Sequence, residues 1–212
     1  MTKDAAAPMS LEDEQNICEH PIYPLIAGRR SSHAFAPTSV EPETLAGLME
    51  AARWAPSSMN EQPWSFMVAT KANKSDFARL VGCLIEFNVQ WAQNAPVLLL
   101  SVAKLTFESG EINRHAFHDV GQAIANLTFQ ATVSGMVVHQ IAGFDIEKAR
   151  CEFSIPQDYE PVAAAAIGYP GNLAELPEKL RKRDVSPRKR RPLHNFVFES
   201  RWGHSADWTR NL

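Results

Sequence analysis

The chain has 212 residues, 45% of them hydrophobic and 21% charged, with a formal net charge of −3. That length suits one domain, or one domain with arms, able to bury a real core, and the composition is ordinary for a soluble globular protein. The weakly acidic balance argues against nucleic acid or an anionic membrane surface as the main partner.

The start, MTKDAAAPMSLEDEQ, lacks the basic segment and apolar run of a secretory signal. No stretch approaches the roughly 20 apolar residues of a membrane span. The three cysteines, Cys18, Cys83 and Cys151, are far apart and form no CxxC pair, so neither a disulfide framework nor a thiolate zinc site is expected. A cytoplasmic protein with no membrane or nucleic-acid partner is the expectation.

In chain order, residues 1–20 read as a flexible polar arm, followed by one domain over 21–212 with an extended C-terminal tail. Pro21 to Gly28 leads into Arg29-Arg30-Ser31-Ser32-His33. A helix is expected over Pro42–Trp54, with proline in its first turn and Leu45, Leu48, Met49 and Ala52 on one face. Pro56-Ser57-Ser58 ends it, and a strand follows over Ser65–Ala69. The spacing predicts one continuous helix over Asp76–Trp91. The apolar run Val97–Val102 suits a strand covered on both faces. A long helix is expected over His115–Ser134, with Phe117, Val120, Ile124, Leu127 and Ala131 as its apolar stripe and Gly135 as its stop. Val137–His139 reads as a strand, Asp145 as the cap of a short helix, and Val162–Ile167 as a last strand. Helices interleaved with short strands argue an α+β sandwich, helices over a central sheet. Trp202 and Trp208 in the tail suggest packing on something, such as a second subunit.

Four segments carry chemistry. Two guanidiniums and two hydroxyls in Arg29-Arg30-Ser31-Ser32 match a phosphate, because arginine presents forked donors to its oxygens; the bland alternative is a solvated basic loop. Pro56-Ser57-Ser58-Met59-Asn60-Glu61-Gln62 offers amides able to donate and accept along a heteroaromatic edge, or it is simply a polar turn. Gln140-Ile141-Ala142-Gly143-Phe144-Asp145 places a glycine between a strand and a capped helix, where backbone can approach a ligand closely. The basic run Lys179, Arg181, Lys182, Arg183, Arg188, Lys189, Arg190 and Arg191, bracketed by Pro187 and Pro192 at its end, suits cations that reach an anion.

In order and spacing, these segments resemble the nitroreductase family of flavoproteins over about residues 21–202. The most specific part is Arg29-Arg30-Ser31-Ser32-His33-Ala34-Phe35, then Leu48-Met49-Glu50-Ala51-Ala52-Arg53-Trp54-Ala55-Pro56-Ser57-Ser58 running into Asn60, Gln62, Pro63 and Trp64. Gly143-Phe144-Asp145, Ile167-Gly168-Tyr169-Pro170 and Arg190-Arg191-Pro192-Leu193 fall where family members carry similar motifs.

The resemblance implies an intertwined homodimer of α+β sandwiches around a mainly antiparallel sheet, with FMN between subunits. Arg29 and Ser31, with Arg30 assisting and a cation from Arg188, Arg190 or Arg191, would hold the FMN phosphate. Pro56, Ser57 and Ser58 of the other subunit would line the flavin, and Asn60 would bond its ring. A backbone N–H after Ile141, at Ala142 or Gly143, would point at flavin N5. Asp119 would lie near the ribityl chain or ring. His33 stands where the family commonly has Arg or Lys facing the pyrimidine end, so charge support there becomes pH-dependent. Ala142 stands where some members have Glu.

The implied reaction is ping-pong: hydride passes from NAD(P)H through flavin N5 to a small organic oxidant such as a nitroaromatic or quinone. The flavin does the redox chemistry, so no catalytic side chain is nominated. Dehalogenases and a flavin-destroying enzyme of cobalamin biosynthesis share related folds, and residues 105–114 form the expected substrate-facing loop. Two rivals remain: a metal enzyme using Glu111, His115, His118 and Asp119 on one helical face, and a nucleic-acid module using the basic segment 179–191.

Overall fold

A computed structural model of the protein describes residues 18–210. All but the last three residues of the expected arm, 1–20, therefore lie outside the described residues. The chain forms two compact units, one of residues 29–184, the other from the segments before 29 and after 184.

The larger unit contains β1 (Trp64–Thr70), β2 (Val97–Lys104), β3 (Val137–Ile141) and β4 (Tyr159–Gly168), in the spatial order β1-β2-β4-β3 with every pairing antiparallel. Strand β2 is buried along almost its whole length, which is why its sequence is continuously apolar. Its side chains alternate between two cores. Val97 and Leu99 join Leu48 and Ala52 of α1 (Pro42–Arg53) and Ile124 and Leu127 of α2 (Ala116–Val133). Leu98, Leu100 and Val102 join Phe77 and Leu80 of α3 (Lys74–Cys83) and Trp91 of α4 (Glu86–Ala92). The sheet is thus the middle layer of a sandwich. Helix α5 (Ile146–Glu152) is capped by Asp145, whose carboxylate accepts the Lys148 N–H at 2.9 Å. Helix α6 (Glu178–Val185) follows β4.

Two sequence expectations require correction. The helix over 76–91 is two helices: Leu84 and Ile85 are extended, Leu84 pairs with Phe144, and the Ile85 N–H donates to the Gly143 carbonyl. A tertiary strand-like contact outbids the local helical pattern there. Phe117, placed by spacing on the buried stripe of α2, is instead 49% exposed. The stop at Gly135 holds: its φ is 71°, and the Met136 N–H reaches back to the Ala131 carbonyl at 2.8 Å.

Arg150 staples α5 to the start of β4. Its Nη1 donates to the carbonyls of Pro156 and Tyr159 at 2.8 and 2.6 Å, and its Nη2 donates to Glu160 Oε2 at 2.5 Å. Arg150→Met keeps the aliphatic packing but orphans two carbonyls. Because the Glu160 carboxylate is partly exposed, the expected loss of unfolding free energy is about 2 kcal/mol, to be read from urea denaturation midpoints.

The smaller unit comprises a short helix, Pro24–Gly28, and single turns at Leu193–Asn195 and Asp207–Thr209. The Arg188 guanidinium donates to the Ala27 carbonyl, and Ser205 Oγ donates to the His194 carbonyl at 2.6 Å. Trp202 touches Phe198 edge-on yet is 92% exposed.

Candidate functional site

The Arg-Ser loop opens the larger unit. Arg29 Nη1 donates to Ser31 Oγ at 3.1 Å, with Ser31 at the surface. This places a guanidinium beside a hydroxyl, the donor set a phosphomonoester requires. The next two residues are held inward by Asp184 of α6. Asp184 Oδ2 accepts the Ser32 hydroxyl at 2.7 Å and the His33 N–H at 2.8 Å, while Oδ1 accepts His33 Nδ1. Arg30 Nη1 also reaches the Asp184 carbonyl at 3.4 Å.

His33, read from the sequence as facing a ring, sits in a buried cluster and is 8% exposed. Its imidazole meets Trp91 and His139 edge-on, with centroids at 4.8 and 4.5 Å. His139 Nδ1 donates to the Ser32 carbonyl at 3.1 Å. Burial, reinforced by the neighbouring His33 charge, pushes His139 down to about 4. Burial alone would raise Asp184, but the hydrogen bonds from the His33 ring, the His33 amide and Ser32 outweigh it and hold its carboxyl below the usual range.

The second segment, Pro56–Gln62, is unusual backbone. Met59, Asn60 and Gln62 have φ of 54°, 57° and 50°, in the left-handed region that non-glycine residues seldom occupy. Local bonds hold it: Ser57 Oγ accepts the Gln62 N–H at 3.0 Å, and Gln62 Nε2 donates to the Asn60 carbonyl at 3.1 Å. Helix α2 supplies the anchor. Asp119, 2% exposed, accepts the Ser58 N–H on Oδ2 at 3.0 Å, and Gln122 Nε2 approaches the Pro56 carbonyl at 3.4 Å. Pro56 and Asn60 are exposed, and Ser57 and Ser58 half-buried. A strained polar loop held this firmly is characteristic of a ligand-binding segment.

In the third segment Ile141 ends β3 and is buried, Ala142 is exposed and Gly143 half-buried. A Cβ on Gly143 would meet Asn88 Nδ2 at 2.6 Å and Ile85 Cδ1 at 2.7 Å. Asn88 Nδ2 donates to the Gly143 carbonyl at 2.9 Å. A side chain here would displace the ends of the Asn88 and Ile85 side chains at the α3–α4 junction. Asn88, which sequence periodicity shows only as one more residue of a helix, locks this turn.

The basic run is largely engaged within the fold. Lys179 and Arg183 lie over the Phe87 ring, Lys182 pairs with Glu178 at 2.6 Å, and Arg191 lies over Phe196. Arg190 Nη1 bonds the Lys189 carbonyl at 2.9 Å. Those contacts fit an ordered segment and weaken the reading as a nucleic-acid arm. The metal reading fails on geometry. Among the described residues no group of three or more His, Cys, Asp or Glu could hold a metal ion. Asp119 turns inward to Ser58, whereas the His118 side chain, 3.2 Å from it, is largely in solvent. In the 105–114 loop Thr106 pairs with Ile112 in a small hairpin.

Comparison with known proteins identifies the family and the fold. The sequence signature of the Nitroreductase family matches residues 26–169. A solved structure of an oxidoreductase containing FMN superposes with a TM-score of 0.83 at 33% identity, covering 89% of this chain and 96% of that one. An uncharacterized 15.4 kDa protein of Mycolicibacterium smegmatis is 36% identical over 64% of this chain and 91% of its own length. A putative NADH dehydrogenase/NAD(P)H nitroreductase of Streptomyces coelicolor is 27% identical over 69% of this chain and 81% of its own. No described helix is long and apolar enough to cross a membrane. With a family signature spanning most of its length and the sandwich to match, the chain belongs to the nitroreductase family.

Proposed function

We propose that this protein is a cytoplasmic FMN-dependent oxidoreductase that uses NAD(P)H to reduce a small organic oxidant such as a nitroaromatic or quinone. The observation that carries the reading is the Met59–Gln62 loop, left-handed at Met59, Asn60 and Gln62 and pinned by Asp119, in a chain whose family signature spans both that loop and the Arg29–Ser31 donor pair.

When bound, FMN supplies the redox chemistry by taking up and giving back hydride. The chain supplies binding and orientation. Arg29 and Ser31 offer forked and hydroxyl donors to the phosphate, with Arg30 assisting. Pro56, Ser57, Ser58 and Asn60 line the ring. The Ala142–Gly143 backbone, fixed by Asn88, offers an N–H to the ring's hydride-accepting edge. Asp119 acts through Ser58, and His33 through the loop it anchors.

The working unit in this proposal is a homodimer, each site drawing the Arg29 loop from one copy and the Pro56 loop from the other. The apolar side chains that the larger unit leaves exposed, Trp54, Met59, Phe117 and Val133, suit such an interface. Sedimentation equilibrium at micromolar concentration checks the stoichiometry.

Purified protein incubated with FMN and desalted is expected to stay yellow, to bleach anaerobically with NADH or NADPH, and to recover its colour with a quinone. A colourless product that takes up no FMN sinks the proposal. Arg29→Ala is expected to weaken FMN binding about tenfold, the worth of one solvent-accessible charge-assisted hydrogen bond, and to leave riboflavin binding unchanged. Flavin fluorescence quenching titrations measure both.

A further inference from the structure

Asp184 is remote in sequence from the Arg-Ser loop, yet its side chain makes nearly all its contacts there. One carboxylate oxygen takes the Ser32 hydroxyl and the His33 amide, and the other takes His33 Nδ1. The carboxylate is almost wholly buried. A buried carboxylate costs several kcal/mol in lost hydration unless its lone pairs are satisfied, and here three donors from two consecutive residues serve it. The same two residues are held from the opposite side, where His139 of β3 donates to the Ser32 carbonyl. Ser32 Oγ also accepts the Ala34 N–H at 3.1 Å. Ser32 and His33 are thus gripped between α6 and β3. The residues just before them, Arg29 and Ser31, carry the exposed donor pair. Fixing the root of a loop fixes the geometry of donors at its tip and lowers the entropy lost when they close on an anion.

We propose that Asp184 is a positioning residue for the phosphate-binding loop: by clamping Ser32 and His33 it presets Arg29 and Ser31 to receive the phosphomonoester end of the flavin nucleotide, and it acts on that end of the ligand only. This rests on the FMN reading above. The imidazole belongs to the clamp, with Nδ1 committed to Asp184 rather than to a ligand.

Comparing FMN with riboflavin, which lacks the phosphate, tests the idea. In Asp184→Asn the side chain keeps its shape but loses its charge, and its amide nitrogen no longer accepts hydrogen bonds. FMN affinity should fall about tenfold, riboflavin affinity should hold within twofold, and amide hydrogen exchange at His33 should accelerate in the flavin-free protein. Ser32→Ala, which removes the hydroxyl's bond to Asp184 and its bond from the Ala34 N–H with little volume, should give a smaller loss confined to FMN, and it decides the matter if Asp184→Asn does not fold. Equal losses for FMN and riboflavin, or no loss for either, overturn the assignment of Asp184. Failure of the unmodified protein to bind either flavin instead overturns the FMN reading, while the exchange result at His33 still reports on the clamp.

Discussion

Acidification from pH 7 to pH 4 is expected to cost the folded chain about 3 kcal/mol through His139 alone. His139 Nδ1 already donates to the Ser32 carbonyl, so the neutral ring is fully served, and an added proton must go to Nε2. That would place a charge inside a cluster of Trp91, at 4.4 Å, and His33, at 4.5 Å, close to Arg29, with the Asp184 carboxylate as the only anion among the groups acting on it. The folded value is pushed down to about 4 from 6.5. Between those values the unfolded chain binds the proton and the folded chain does not. The contribution is therefore intact above pH 6.5 and drains away as pH falls toward 4. Asp184 acts in a lower window: its depressed carboxyl stabilises the fold above the ordinary aspartate value and loses that effect only as pH drops through its own. His139→Phe keeps a ring against Trp91 and loses the bond to Ser32, so it should be about 1 kcal/mol less stable at pH 7.5 yet nearly flat from pH 6.5 to 4. Urea denaturation at half-unit pH steps checks it. Parallel curves for the two proteins over that window would show that His139 is not the acid-sensitive group.

What the sequence made legible divides along local and non-local lines. Helices α1 and α2 announce themselves because each buries one stripe, and β2 because a strand covered on both faces must be apolar throughout. The break at Leu84–Ile85 has no local signal, since its cause is pairing with Phe144 and Gly143. Phe117 satisfies the helical spacing but lies beyond the edge of the buried stripe. At the candidate site, the donors and acceptors of Arg29, Ser31, Ser57, Ser58 and Asn60 are plain from residue types, whereas the means of holding them are not. Neither the Asp184 clamp nor the His33–Trp91–His139 cluster has a sequence signature, because their members come from four separate elements. Gly143 reads from the sequence as a point of close approach to a ligand, whereas the groups a Cβ there would displace, the ends of Asn88 and Ile85, have no local signal. Of the three left-handed residues Met59, Asn60 and Gln62, only Asn60 is of a type that tolerates that region.

The Met59–Gln62 loop makes Asp119 the second site of large effect. Each left-handed non-glycine residue costs on the order of 1 kcal/mol or more, and Met59, Asn60 and Gln62 persist because the surrounding bonds overdetermine them. The Ser58 N–H bond to buried Asp119 ties this loop to helix α2, with Gln122 of the same helix near the Pro56 carbonyl. Asp119→Ala removes a charge-assisted bond, strands a half-buried amide and lets the loop relax into ordinary backbone, for an expected loss of about 3 kcal/mol. Asp119→Asn retains an oxygen in place and should lose only about 1 kcal/mol. Stability and ligand binding should respond together. Amides 58–62 should lose hydrogen-exchange protection in the alanine variant, and its affinity for both FMN and riboflavin should drop about a hundredfold, because the loop faces the ring rather than the phosphate in the proposed site. Denaturation midpoints, exchange rates and flavin titrations on the two variants measure each part. An alanine variant with unchanged exchange at 58–62 would mean that the loop holds its strained shape without Asp119, and the anchoring role would fall with it. The contrast with Asp184 would then map the proposed site: one buried carboxylate would tune binding of both flavins through the ring-side loop, and the other would tune binding only where a phosphate is present.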